Sequence, residues 1–314
     1  MNKDETQTNH ELLAWCESVI GSFSVLSGDV GAHDRSSVCR LQTSQGLHYF
    51  LKIHHDPMYW SCEVHGYEAW AGAFGENCPQ LIAVYTEQPL ALIISEIPGK
   101  SMNQVTLTAS QERDAWRTSG QHLAHLHQWA IGEYFGPCQR NGQPFDLPRS
   151  QSSDLPIQDA EQYVRHELDT WTERGLQARC LNPDELAVVE NARYLVPAFT
   201  GERPVPCHRD YCPVNWLVDE QGKWTGVIDF EFAYWDLRVA DFSRYPDWEW
   251  MERPECIDAF FEGYGRALTE QEEKQRFVAH VQYALSAIVW GREAAFYGFE
   301  EEGRQALRLL AKSI

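Results

Sequence analysis

Asp210, Asn215 and Asp229 constrain this chain more than any other residues. Asp210 and Asn215 stand five positions apart in CHRDYCPVNWLVD (207–219), and Asp229 ends the run TGVID fourteen positions after Asn215. Two short apolar runs, WLV and TGVI, lie between Asn215 and Asp229 and flank DEQGK, which reads as a turn. The stretch is therefore a tight β-hairpin with polar side chains at its ends. Polar groups at this spacing make a poor core, because each costs free energy when buried without a partner. They suit a cleft. A carboxylate such as Asp210 can orient a hydroxyl group or accept its proton. Asn215 offers a neutral oxygen and Asp229 an anionic one, the hard donors that magnesium takes when it accompanies phosphate.

The rest of the chain narrows its class. With 314 residues it is long enough for one large domain or two lobes, and 43% hydrophobic and 12% aromatic residues can fill a sizeable core. No apolar run reaches the roughly 18 residues of a membrane span. The first residues, MNKDETQTNHELLAW, lack the basic-then-apolar order of a signal peptide, and residues 1–9 read as a loose tail. Nine cysteines without a CxxC pair read as reduced thiols, which points to a cytoplasmic protein. Cys207 and Cys212 have no partner cluster, which argues against zinc. A net charge of −20 speaks against nucleic acid as partner and favours cations.

Strand signals fill the first third. SSVCRLQT (36–43), the turn SQG (44–46) and LHYFLKI (47–53) predict a hairpin, preceded by the glycine-containing loop SGDVGAHDRSS (27–37). CEVHGYEAWAGAF (62–74) has Val64, Tyr67, Trp70 and Phe74 at helical spacing, and ALIISEIPG (91–99) reads as a buried strand ended by Pro-Gly. Helices follow: one over 110–130, opened by a capping box of Thr108 and Gln111; one near 159–174; and one over 183–195 behind Asn182 and Pro183. From 255 onward the chain is helical again, with Thr269 and Glu272 as a further capping box. The polar loop 136–156 is a surface excursion or a binding loop. The sum is an α+β chain with a small β-rich lobe carrying one main helix (1–98) and a larger, mostly helical lobe (99–314). The cleft between lobes is the usual place for a ligand.

These motifs occur together in a known order. HRDYCPVN (208–215) matches the protein-kinase catalytic loop H-R-D-x-x-x-x-N, and DFE (229–231) stands where kinases have D-F-G. The longer stretch HRDYCPVNWLVDEQGKWTGVIDFEFAYWDLRVADFSR resembles the aminoglycoside phosphotransferase/choline kinase family of small-molecule kinases, with Asp236 and Asp241 in the later acidic positions. Upstream, Lys52 in YFLKI, the hinge-like LIISEIPGKSM and the helix SGQHLAHLHQW resemble further parts of that family, so the likeness runs from about residue 25 to 300. It implies a protein-kinase-like bilobal fold and transfer of a phosphoryl group from ATP, with GTP an alternative, assisted by Mg2+. By the same likeness Asp210 is catalytic, Asn215 and Asp229 hold the metal, and Lys52 meets the phosphates. Glu63 pairs with Lys52, with Glu68 as competitor. Backbone groups of Ser95, Glu96 and Ile97 meet the adenine. Ser36 and Ser37 approach the phosphates, although their loop is not a clean G-x-G-x-x-G. His208 and Asp241 support the loop. Arg209 departs from the family, which commonly has glycine there; it is positioned to fold back onto a carboxylate.

The acceptor is read from residues 226–256, which hold eight carboxylates against three arginines, together with eight aromatics. Carboxylates beside aromatic faces suit a cationic small molecule, and Glu231, Trp235, Asp236, Trp248 and Glu249 are the candidate contacts. Family size favours an aminoglycoside-like acceptor; choline, ethanolamine, an amino sugar and homoserine are alternatives. A kinase-fold binding protein with weak catalysis is a reading of another class, opposed by the intact Lys52, Asp210, Asn215 and Asp229. A protein-serine kinase is disfavoured by the missing A-P-E segment. His54, His55, His122, His125 and His127 read as surface or core histidines rather than a metal cluster. Monomer and homodimer both remain open.

Overall fold

The computed structural model describes residues 3–27, 35–145, 156–243 and 253–313. Alternation of side chains builds its first sheet. Strands β1 (Phe23–Ser27), β2 (Ser36–Thr43), β3 (His48–His54), β4 (Leu81–Tyr85) and β5 (Ala91–Ser95) lie in the order β1-β2-β3-β5-β4, with every neighbour antiparallel. Helix α1 (Lys3–Ile20) covers one face, where Leu12 and Cys16 pack with Leu41, Leu51, Ala91 and Ile93. On the other face Phe50, Leu92 and Ile94 join the large core. Lys52 falls between Phe50 and His54 on this second face, because successive strand side chains point to opposite sides. That places its amine inside the protein.

Two expectations change here. The segment expected to be loose to residue 9 is helical from Lys3, because Leu12, Trp15, Cys16 and Val19 form a stripe that docks on the sheet and supports the helix. The helix expected from Cys62 starts instead at Pro57. Asp56 caps this helix, α2 (Pro57–His65), by accepting the Met58 N–H at 2.8 Å. A π-helical turn (Gly66–Trp70) and a 3₁₀ stretch (Ala71–Asn77) continue it. A Cβ at Gly66 would stand 3.1 Å from the Phe230 side chain, so glycine there lets the segment after Asp229 lie against α2.

The remainder is helical around two small sheets. Strand β6 (Lys100–Ser101) pairs with β8 (Trp216–Val218), which pairs with β9 (Trp224–Val227), while β7 (Val205–Cys207) pairs with β10 (Tyr234–Asp236). The helices are α3 (Ala109–Trp129), α4 (Ala160–Gln177), α5 (Pro183–Tyr194), α6 (Pro254–Tyr264), α7 (Glu270–Glu293) and α8 (Tyr297–Leu310). Capping boxes open α3, α5 and α7 at Thr108, Asn182 and Thr269. No described helix is long and apolar enough to cross a membrane, and all nine cysteines are free.

Helices α3 and α6 cross backbone to backbone. A Cβ at Gly263 would sit 1.8 Å from the Arg117 carbonyl oxygen, and one at Gly120 would sit 2.1 Å from that of Phe260. Gly263→Ala should therefore destabilise the protein by about 2 kcal/mol through overpacking, more than helix propensity returns. Urea unfolding checks this; a variant as stable as the parent would show that the helices can move apart freely.

Candidate active site

Lys52 is buried, so its ammonium must find anions. Its Nζ lies 2.6 Å from Asp229 Oδ1, 2.9 Å from Glu63 Oε2 and 3.0 Å from Glu231 Oε2. Glu63 is thus the partner on α2, while Glu68 pairs with Arg140 at 2.6 Å. His54 holds Glu63 from another direction, Nε2 to Oε2 at 2.7 Å. Sequence reasoning missed this role, although His54 shares a strand face with Lys52. Burial alone would lower the Lys52 pKa; the carboxylates, Asp229 foremost, reverse that and hold it well above its ordinary value. Burial would raise Asp229, but Lys52 outweighs it and keeps Asp229 low. At Glu231 burial prevails over Lys52, Asp229 and Glu63 add their repulsion, and the pKa rises.

The loop 207–215 is set from beneath by Asp241, which is fully buried. Asp241 Oδ2 accepts the His208 N–H at 3.0 Å and Oδ1 accepts the Arg209 N–H at 2.5 Å. His127 Nε2 lies 2.9 Å from the same Oδ2. These bonds support Arg209 in the left-handed region, φ +61°. His208 donates from Nε2 to the Ile228 carbonyl (3.0 Å) and accepts the Asp210 N–H on Nδ1 (3.3 Å), which fixes its tautomer. It clips the loop to the strand end that carries Asp229, itself at φ +73°. Asn215 Nδ2 donates to the Asp210 carbonyl and to Asp210 Oδ2, both at 2.9 Å. The Ile228 N–H donates to the Asn215 carbonyl at 3.1 Å. Asp210, Asn215 and Asp229 are thereby tied into one unit.

The donors left over suit a hard cation. Asn215 spends Nδ2 on Asp210 and retains Oδ1; Asp229 meets Lys52 through Oδ1 and keeps Oδ2, with a third of its side chain exposed. One neutral and one anionic oxygen fit magnesium. Two other groupings of ligand-type residues already hold protein partners. In His54, Glu63 and Glu231, Lys52 bonds both carboxylates. In His127, Cys207 and Asp241, the histidine is bonded at both nitrogens, to Asp241 and to Tyr264. His54, His55, His122, His125 and His127 do not form one cluster: His54 is on Glu63, His127 on Asp241, and His122 stacks on Trp224 at 4.6 Å.

Other expected residues fall in varied places. Ser36 Oγ donates to Glu231 Oε2 at 3.4 Å, which brings the start of β2 to the cluster, whereas Ser37 pairs with Ile53 within the sheet. The N–H groups of Ser95 and Glu96 already bond the carbonyls of Gln80 (2.9 Å) and His48 (3.3 Å). The Glu96 carboxylate is held by Arg40 and His48. Ile97 N–H is the donor these bonds leave over.

The expected acceptor contacts need correction. Glu231 is on the lysine side, because the left-handed turn at Asp229 redirects the chain. Asp236 is buried on Arg209 Nε (2.7 Å), Tyr163 Oη (3.2 Å) and the Leu237 N–H (2.7 Å), so Arg209 does fold back onto a carboxylate. Trp235 packs edge-on against Trp70 at 4.9 Å. Trp248 and Glu249 lie outside the described residues. Two cavities of about 490 and 570 Å³ flank the Glu68–Arg140 pair, and neither is lined by Lys52, Asp210, Asn215 or Asp229.

Comparison with known proteins follows the same direction. The sequence model of the phosphotransferase enzyme family matches residues 30–275. No match was found among curated protein sequences. Among solved structures, a thermostable mutant of the aminoglycoside phosphotransferase APH(4)-Ia, in ternary complex with ADP and hygromycin B, superimposes with a TM-score of 0.69 at 14% identity, over 96% of this chain and 97% of that one. The gentamicin complex of APH(2″)-IIa gives 0.61 at 14% identity over 95% of both chains. Macrolide 2′-phosphotransferase type I gives 0.62 at 12% identity over 98% of both. At these identities the likeness is one of fold.

Asp236 offers a check on the loop's support. Burial pushes its carboxyl up to about 6, against the pull of Arg209. The folded protein then binds this proton more tightly than the unfolded chain, whose aspartates titrate at about 4. The stability this supplies is complete below about pH 4 and is lost as pH rises to about 6. The stability of the parent relative to Asp236→Asn should therefore fall across that interval in urea unfolding; a flat or rising difference would contradict the buried placement.

Proposed function

This chain belongs to the phosphotransferase enzyme family; from that premise we propose that it is a kinase acting on an alcohol group, moving the γ-phosphoryl group of ATP to a hydroxyl of a small, cationic molecule, with an aminoglycoside-like acceptor favoured. One observation carries the reading: an unbroken chain of bonds runs from Asp210 through Asn215 and the Ile228–Asp229 backbone to Lys52. A base-type carboxylate, two oxygen donors for a metal and a phosphate-seeking amine are thus held in one rigid arrangement. The net charge of −20 supports a cationic acceptor. The neighbours' names span aminoglycoside and macrolide acceptors on one fold, which supports small-molecule phosphotransfer and leaves the acceptor to the site's own residues.

Each residue then has a task. Ile97 N–H meets the adenine edge. Lys52 donates to phosphate oxygens while Glu63, itself held by His54, keeps the amine in place. Asn215 and Asp229 would hold Mg2+, which supplies charge neutralisation on the phosphates. Asp210 orients the acceptor hydroxyl and takes its proton as the new O–P bond forms, and the departing ADP oxygen carries away the negative charge. His208 and Asp241 keep Asp210 in position through the loop backbone. Positioning and electrostatics supply most of the rate.

Asp210→Asn should leave nucleotide binding intact and cut turnover by about two to four orders of magnitude, the span of a general base. An ATP-consumption assay over aminoglycosides, other cationic antibiotics, choline, ethanolamine, amino sugars and homoserine checks both the reaction and the acceptor; full turnover in the variant removes the assigned role. Asp229→Ala should abolish the Mg2+-dependent part of ATP affinity in calorimetry, and unchanged affinity would count against the metal assignment.

A further inference from the structure

Of the two cavities beside the Glu68–Arg140 pair, the one of about 490 Å³ is built for a ligand. One wall is the π-helical turn, which contributes Tyr67 and Glu68, continued by Ala71 and Gly72. The other wall includes Leu81 and Ala83 of β4, the edge strand of the first sheet. Tyr67 is only 6% exposed, and its hydroxyl makes no hydrogen bond among the described residues. Burial foremost, then the charge of Glu63, pushes the pKa of that hydroxyl well above its ordinary value. It therefore stays protonated, a buried donor that lacks an acceptor. Arg140 stands at the rim, its guanidinium forked onto the Glu68 carboxylate through Nε (3.1 Å) and Nη2 (2.6 Å). The volume falls within the range of about 300–1,000 Å³ common for small-molecule sites.

We infer that this cavity binds a small aromatic carboxylic acid, apart from the nucleotide and acceptor sites, and that its occupancy tightens nucleotide binding. The ligand carboxylate replaces Glu68 in the Arg140 fork, a planar pair of donors that matches this group. Both side chains of the Glu68–Arg140 pair are exposed, so opening it costs little and returns Glu68 to water. The ring lies between Ala71 and Gly72 on one wall and Leu81 and Ala83 on the other, where small residues leave room for a flat apolar body. A second polar atom on the ring accepts from the Tyr67 hydroxyl. Tyr67 also carries the coupling. It follows Glu63 by four residues along the same helical run, and its ring meets that of Phe230, next to Asp229, at 5.1 Å. One cavity residue thus touches both segments that bring carboxylates to Lys52. A ligand seated on Tyr67 favours the arrangement in which Glu63 holds Lys52, and by linkage favours nucleotide on that lysine. The coupling rests on the phosphotransferase reading above; the binding site does not.

The test uses the full chain and 4-acetylbenzoate as probe, titrated by calorimetry, with acetophenone and benzoate as controls that lack one polar end each. Arg140→Met should weaken the probe by about tenfold or more, to the level of acetophenone. Tyr67→Phe should weaken it by about threefold or more, to the level of benzoate. Glu68→Gln loosens the internal competitor and should tighten the probe by about threefold. If Arg140→Met does not fold, Ala83→Phe fills the slot instead and should abolish binding. A probe that binds neither the parent nor Glu68→Gln, or that binds regardless of Arg140→Met or Ala83→Phe, overturns the site. Saturating probe should tighten Mg2+-ATP by about fivefold or more in the parent and leave it unchanged in Arg140→Met; equal ATP affinity in the parent with and without probe overturns the coupling. Failure of the parent to bind ATP at all contradicts the phosphotransferase reading instead, and the probe titrations still decide the site.

Discussion

One buried ammonium organises this molecule. Lys52 Nζ is shared by Glu63 from α2 and by Asp229 and Glu231 from the end of a hairpin far along the chain. One positive charge faces three carboxylates, and the imbalance shows in their titration: Asp229 is held low, whereas Glu231 is pushed up. Such a cluster is tolerable because its geometry is tight and its members are bonded elsewhere, Glu63 to His54 and Glu231 to Ser36. The same surplus of negative charge is what the proposed Mg2+ would meet. Structure and proposed chemistry therefore have one electrostatic cause.

The second dependency is mechanical. Two non-glycine residues, Arg209 and Asp229, stand in the left-handed backbone region on the two loops that matter. Strain of this kind persists only where surrounding bonds over-determine it. Here Asp241 takes two consecutive backbone N–H groups, and His208 bridges the two loops. The π-helical turn at Gly66 belongs to the same arrangement, since it brings α2 against Phe230, next to Asp229. Sites are often built on such irregular backbone, and the regular helices behind it, joined at the α3–α6 glycine contact, provide the stiffness.

Much of this was legible in the sequence because it is local. The spacing from Asp210 to Asn215 to Asp229 survives as hydrogen-bonded neighbours, the three capping boxes open their helices, and alternation along YFLKI is what turns Lys52 inward. Glu63 was named by the family likeness, with Glu68 left as its competitor until the helix placed Glu63 on Lys52. What was not legible depends on how distant segments meet. Glu231 and Asp236 looked alike as acids after the hairpin, but a single left-handed residue sends the first to Lys52 and burial takes the second to Arg209. Trp235 looked like a pocket wall and is packed on Trp70. His54 carried no motif, and its bond to Glu63 joins a strand to a helix.

The most direct measurement is a crystal structure of this protein with Mg2+ and a non-hydrolysable ATP analogue. The account predicts Asn215 Oδ1 and an Asp229 oxygen on the metal, and Lys52 Nζ transferred from Asp229 to phosphate while still bonded to Glu63. A metal bound away from both residues, or Asp229 still closed on Lys52 with nucleotide in place, would contradict it.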